Sequence, residues 1–109
     1  MGKTGEATFS GYDSKYRFAV YPADAKLKDV AAVYIFTRRT EADGKASHDL
    51  LYIGETDRLR KRLANHEKWP QLRKLGVNCV CVLEEEDDER RLDVETDLRR
   101  RHHTPCNAR

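Results

Sequence analysis

The stretch LLYIGETDRLRKRLANH, running from Leu50 to His66, decides how the chain folds. Leu50 to Ile53 is a short apolar run that reads as a strand, and Gly54 ends it. Thr56 or Asp57 can then cap a helix by accepting a bond from one of its free amides. At 100° per residue that helix gathers Leu59, Leu63 and His66 on one side, with Arg62 at the edge of the stripe and Arg60 and Glu67 facing elsewhere. A strand, a glycine turn and a basic helix are expected, with Arg62 and His66 sharing a flank.

Outward from this stretch, Val30 to Arg38 reads as a buried strand, because its apolar run is short, β-rich and bounded by charge. Thr40 to Asp49 is polar, contains Gly44 and has the composition of an exposed connection, so the two strands form a central antiparallel hairpin. Trp69-Pro70 interrupts the helical pattern, since the residue before a proline is pushed out of the helical region. Gln71 to Leu75 follows as a short helical segment closed by Gly76, and Val77 to Leu83 as a third strand. A last helix is expected over Asp87 to Arg101, with carboxylates at its positive end and Arg99, Arg100 and Arg101 at its negative end. Val94 and Leu98 form its inward stripe and Leu92 lies to one flank. Glu95 falls on a partly buried flank, where a carboxylate needs a partner, a proton or a metal. Before all this, Thr8-Phe9 and Tyr16-x-Phe18-x-Val20 around Gly11 to Ser14 suggest a loose hairpin or an arm laid over the main sheet. The expected class is α/β, with a small three-stranded antiparallel sheet flanked by helices and an N-terminal arm or hairpin. Residues 1–30 are read as an N-terminal extension, 31–107 as the functional domain and 108–109 as a tail.

The 109 residues suit one domain, and 39% hydrophobic with 37% charged residues places the chain among globular rather than disordered or fibrous proteins. No run reaches the eighteen or so apolar residues of a membrane span, and no secretory signal opens the chain. Cys79 and Cys81 lie on one extended segment in poor geometry to bridge each other, so a reducing cytoplasm is the expected compartment. Net charge is only +2, yet residues 57–75 carry seven basic side chains (Arg58, Arg60, Lys61, Arg62, Lys68, Arg73, Lys74) against Asp57 and Glu67. Such a local positive surface suits phosphate. Arg58, Arg60, Lys61, Lys68 and Arg73 are accordingly the candidate nucleic-acid contacts. Cys79, Cys81, His102, His103 and Cys106 have the residue types for zinc but no recognised ligand spacing.

Ala32-Val33-Tyr34, Tyr52-Ile53-Gly54, Arg62, His66, Glu95 and Asn107, taken in that order, resemble the GIY-YIG nuclease family. The first glycine of the family pattern is replaced by Ala32, and the segment between the two tyrosine motifs, Phe36 to Leu51, is longer than in compact members. The resemblance covers about residues 31–107. It implies a divalent-metal-dependent endonuclease, a hydrolase that cuts DNA phosphodiester bonds. Tyr34, Tyr52, Arg62, His66, Glu95 and Asn107 then form the catalytic set. Glu95 is the metal ligand and Mg²⁺ or Mn²⁺ the cofactor.

The chemistry is coherent on its own terms. Phosphodiester hydrolysis needs a base for the attacking water and neutralisation of charge on the phosphoryl oxygens. Arg62 offers a planar fork of donors suited to phosphate. One carboxylate, Glu95, suffices for a divalent ion that keeps most of its waters. Tyr34 is the expected general base, with Tyr52 and His66 orienting it and the phosphate, or His66 relaying the proton instead. A phenol with a reference pKa near 10 needs nearby cations, Arg62 and the metal, to serve at neutral pH. DNA is the expected partner, without RNA being distinguished, and no membrane. A nucleic-acid-binding or accessory module without turnover is the competing expectation, and a structural or interaction protein that pairs as a homodimer through the N-terminal arm is a third.

Overall fold

A computed structural model describes residues 2–107, and the expected tail at 108–109 lies outside them. The chain runs β1 (Gly5–Ser10), β2 (Lys15–Pro22), β3 (Ala32–Ala42), β4 (Lys45–Thr56), α1 (Leu59–Ala64), α2 (Trp69–Lys74), β5 (Cys79–Glu84) and α3 (Asp88–Arg101).

The sheet has five strands, in the order β1-β2-β5-β3-β4, with every neighbouring pair antiparallel. This corrects the expected three-stranded sheet. The N-terminal hairpin does not lie over the sheet but continues it, with Ala19 to Pro22 of β2 pairing with Val82 to Cys79 of β5. The physical reason is that β5 has Val and Cys side chains buried on both faces and needs hydrogen-bond partners along both edges. β3 supplies one edge and β2 the other.

The expected polar connection Thr40 to Asp49 is also corrected. β3 and β4 run on as a two-stranded ribbon and reverse at Asp43-Gly44, both with positive φ (55° and 75°), as a tight primed turn requires. Asp-Gly is the sequence signature of that turn. Because both faces of the ribbon tip are exposed, no apolar alternation marks it.

Period-two alternation sorts the core onto the two faces of the sheet. Val33, Ile35, Ile53, Cys79 and Cys81 face α3, where Val94 and Leu98 close the cluster with Phe9, Phe18 and Val20 from the hairpin. Ala32, Tyr34, Phe36, Val80 and Val82 face the opposite way, under Leu59 of α1 and Leu72 of α2. Each fully buried aliphatic or Phe side chain contributes about 1.5–3 kcal/mol relative to leaving it in water. Between Phe36 and Thr37 the register with β4 slips by one residue at Leu51. That bulge turns Leu51 into the same cluster as its neighbour Tyr52.

The helices follow their sequence signals unevenly. α3 starts as expected, with Asp87 as its cap accepting from the Arg90 amide at 3.1 Å, and Leu92 is left exposed. α1 is shorter than expected. Arg58 is its capping position and makes no side-chain cap, Thr56 Oγ accepts instead from the Arg58 amide, and the helix ends at Ala64. Trp69 and Pro70 begin α2 rather than separating it from α1, because proline is tolerated in a first helical turn. No helix is long and apolar enough among the described residues to cross a membrane.

Candidate active site

The two tyrosine motifs lie side by side because β3 and β4 are paired. Tyr34 is opposite Gly54 and Phe36 is opposite Tyr52, so both tyrosines project from the α1/α2 face. Their rings stack with centroids 6.0 Å apart. Gly54 is what allows this approach, since a Cβ there would stand 2.7 Å from the Tyr34 hydroxyl and 2.8 Å from the Tyr52 ring.

His66 meets them from the turn after α1, not from the helix itself. Its imidazole lies edge-on to Tyr34, Phe36 and Tyr52, and its Nε2 is 2.9 Å from the Tyr34 hydroxyl. The Lys68 amide donates to the other ring nitrogen, Nδ1, at 3.2 Å. An amide can only donate, so Nδ1 carries the lone pair and the neutral ring has its proton on Nε2. Nε2–H therefore donates to Tyr34, whose own proton is left for another acceptor. Burial, with Arg62 nearby, lowers the His66 pKa to about 4, so the ring is neutral at pH 7.

Tyr34 is fully buried, and burial raises its pKa above that of an ordinary phenol. Tyr52 adds to the rise and the Arg62 charge opposes it. Burial wins. The expectation that neighbouring cations hold a phenolate is not met by Arg62 alone.

Arg62 sits in the last turn of α1 with 30% of its side chain exposed, and its guanidinium is clasped by Glu67 through two bonds of 2.6 and 3.0 Å. That pairing holds the Glu67 carboxyl at a pKa of about 2. Arg62 also lines an open cleft of about 360 Å³ with Thr56, Asp57, Arg58, Lys61 and Asn65. Of the other expected nucleic-acid contacts, Arg58 and Lys61 share this cleft, with Arg58 held by Asp29 at 2.9 Å. Arg60 lines a second cleft with Trp69 and Lys26, Arg73 lies over the Trp69 ring, and Lys68 precedes α2. Of the basic run, Arg58, Lys61 and Arg62 thus line one cleft and Arg60 the other.

Glu95 and Asn107 come from elsewhere. Asn107 lies against the outer edge of β4, where its side chain accepts from the Ile53 amide at 2.7 Å and donates to the Ile53 carbonyl at 3.0 Å. The Cys106 amide donates to Leu51 beside it. These contacts cap the edge of the strand that carries Tyr52. Glu95 is half-buried on α3, the helix that packs on the face opposite Tyr34. Burial raises its carboxyl pKa, Arg99 opposes this and Glu55 adds to it. Among the described residues Glu95 makes no ion pair, whereas Glu55 is held by Arg91 at 2.8 Å. No hydrogen bond or ion pair links Glu95 to Arg62 or the tyrosines among those residues.

A half-buried carboxylate without a cation partner among the described residues suits one divalent ion that keeps most of its waters. No cluster of three or more His, Cys, Asp or Glu side chains is present among the described residues to hold a metal outright. The three cysteines are free and buried, with Cys79 and Cys81 on the α3 face and Cys106 on the other.

Sequence reasoning missed Glu67 as the Arg62 partner and Asp29 as the Arg58 partner. Glu67 lies five residues from Arg62, which is no helix-face spacing, and Asp29 lies 29 residues from Arg58, where nothing local signals a pair. Compared with known proteins, the chain matches no family model, no curated protein and no solved structure.

Proposed function

We propose that the chain is a divalent-metal-dependent endonuclease that hydrolyses DNA phosphodiester bonds, in the manner of the GIY-YIG nucleases its motifs resemble. The observation that carries this reading is the joining of Tyr34, Tyr52, His66 and Arg62 across β3, β4, α1 and the turn after it. Side chains from three separate stretches of the chain converge, and one of them, Arg62, lines a cleft with Arg58 and Lys61.

In this mechanism Arg62 binds the scissile phosphate and neutralises charge that grows on its oxygens. Tyr34, as its phenolate, takes the proton of the attacking water as general base and becomes the neutral phenol, the His66 Nε2–H steadying the phenolate beforehand. Tyr52 fixes the orientation of both rings by packing. Asn107 holds the strand that carries Tyr52. Glu95 would hold Mg²⁺ or Mn²⁺, which when bound supplies positive charge and lowers the pKa of a coordinated water. A reducing compartment such as the cytoplasm suits the three free thiols.

A second reading, a nucleic-acid-binding module without turnover, is favoured by two observations. Tyr34 is fully buried, and the Arg62 fork is already filled by Glu67. Incubation with supercoiled, linear and branched DNA, with and without Mg²⁺ or Mn²⁺, separates the two. Metal-dependent cleavage lost in both Arg62→Ala and Glu95→Gln supports the endonuclease. Binding to every substrate with no cleavage in either metal leaves the binding module.

A further inference from the structure

The fork of Arg62 already holds an anion. Glu67 presents one carboxylate oxygen to Nη1 and the other to Nη2, the two-bond arrangement by which a guanidinium also takes a phosphate. The pair is not a helix-surface pair, because Glu67 is five residues on and lies beyond the end of α1. Its backbone is in the turn between α1 and α2, where no helical hydrogen-bond ladder fixes it. Glu67 is 59% exposed and Arg62 30%, so the carboxylate sits on the solvent side of the guanidinium. The rest of that cleft is mostly cationic or neutral, with Arg58, Lys61, Asn65 and Thr56 against Asp57 alone. Glu67 therefore covers the Arg62 fork, while Arg58 beside it is paired through Nε and Nη2 with Asp29 and Lys61 also lines the cleft.

We propose that Glu67 stands in for the substrate: in the free protein it occupies the phosphate subsite of Arg62, and a backbone phosphodiester must displace it to bind. This rests on the phosphodiester-hydrolase reading and deepens it by naming the subsite and the residue that guards it. Glu67 is then a specificity-determining residue. An isolated small anion competes with the carboxylate for Arg62 on nearly equal terms. A strand that also engages Arg58 and Lys61 gains contacts Glu67 cannot match, and the site selects polymer over free phosphate. Acid does not open the subsite in the physiological range, because the Arg62 pairing keeps Glu67 ionised down to about pH 2. Displacement is by competition, and salt weakens so exposed a pair.

The test is a mutant cycle of wild type, Glu67→Gln, Arg62→Ala and the double variant. Two binding probes are used: a short DNA duplex in EDTA, followed by fluorescence anisotropy, and inorganic phosphate, followed by NMR at the Arg62 side-chain N–H. Since an exposed ion pair is of modest strength, Glu67→Gln should bind both probes about two- to fivefold more tightly. The double variant should bind DNA no better than Arg62→Ala. In cleavage assays Glu67→Gln should lower KM and leave kcat unchanged. Equal or weaker binding by Glu67→Gln, or a gain that survives in the Arg62→Ala background, would overturn the proposal. A protein that cleaves nothing in any metal ends the nuclease reading instead, and the phosphate titration still decides the role of Glu67.

Discussion

Asp97 on α3 and Arg62 on α1 are charged residues on opposite faces of one sheet, and they are used in opposite ways. The Asp97 carboxylate is buried and accepts from the Asp13 and Ser14 amides and from the Tyr16 hydroxyl, at 2.7 to 3.1 Å. Its backbone carbonyl accepts from the Tyr12 amide. Both carboxylate oxygens are thus engaged by donors from the β1–β2 turn and the start of β2. Arg62 has one exposed carboxylate partner, carried on a turn. The strength of a charged contact does not separate scaffold from site. What separates them is whether the partner is fixed by the fold or can be exchanged.

That contrast fails most visibly if Arg62 proves structural. Arg62→Ala should lower DNA cleavage by about 10²–10³, the loss expected for one transition-state donor, while the thermal midpoint stays close to wild type. A large fall in midpoint with cleavage intact would reverse the assignment.

The next largest effect concerns the base. Because burial raises the Tyr34 pKa, only a small fraction is phenolate at pH 7, and that fraction grows about tenfold for each pH unit below the pKa. The cleavage rate at saturating metal should therefore climb between pH 7 and 9. A flat profile, with chemistry shown to be rate-limiting, would remove Tyr34 as the base.

Gly54→Ala tests the join between the two regimes. Its Cβ would press on both tyrosines, and overpacking of this kind costs about 1–3 kcal/mol, so denaturant unfolding and cleavage should both suffer. Loss of one without the other would show that the tyrosine pair is not what Gly54 serves.

Asp97→Asn should give the smallest functional effect, lowering stability with little change in kcat. The bonds from Tyr16 and then the turn amides lower the Asp97 pKa in the fold. An unfolded aspartate titrates near 3.9, so this contribution is complete above that value and disappears as pH falls through the lower folded pKa. The stability gap between wild type and Asp97→Asn should thus be constant near neutrality and close under acid. His66 adds a separate acid sensitivity. Its folded pKa of about 4 lies below the reference near 6.5, so the stability from keeping it neutral is present above pH 6.5 and lost between 6.5 and 4.

Much of the central hairpin was legible because Val30 to Arg38 and Leu50 to Ile53 carry a dense local apolar pattern. The inward stripe of α3 was legible for the same reason, since helix period is a local signal, whereas Asp87 was read as the first helical residue and is its cap. The partnership of β2 with β5 was not, because the two segments lie about sixty residues apart and nothing in either names the other. The Asp43-Gly44 turn was present in the letters but hidden by the polarity around it. At the candidate site, the family resemblance named Tyr34, Tyr52, Arg62, His66, Glu95 and Asn107 as one set; the first four lie close together, while Glu95 is on the helix of the opposite face. The exposed partner of Arg62 was not foreseen, because motif spacing says nothing about what fills a site when substrate is away.

The cysteines give this two-faced sheet a built-in chemical clock. All three are free and buried, and burial raises their thiol pKa values, that of Cys81 to about 12, so a thiol-reactive reagent finds almost no thiolate in the folded protein. Labelling must wait for the structure to open. Cys106 lies in the cluster under α1 and α2, whereas Cys79 and Cys81 lie under α3. Modification of Cys106 ahead of the other two would time the loosening of the tyrosine-bearing face on its own, and simultaneous modification would mark unfolding of the whole sheet.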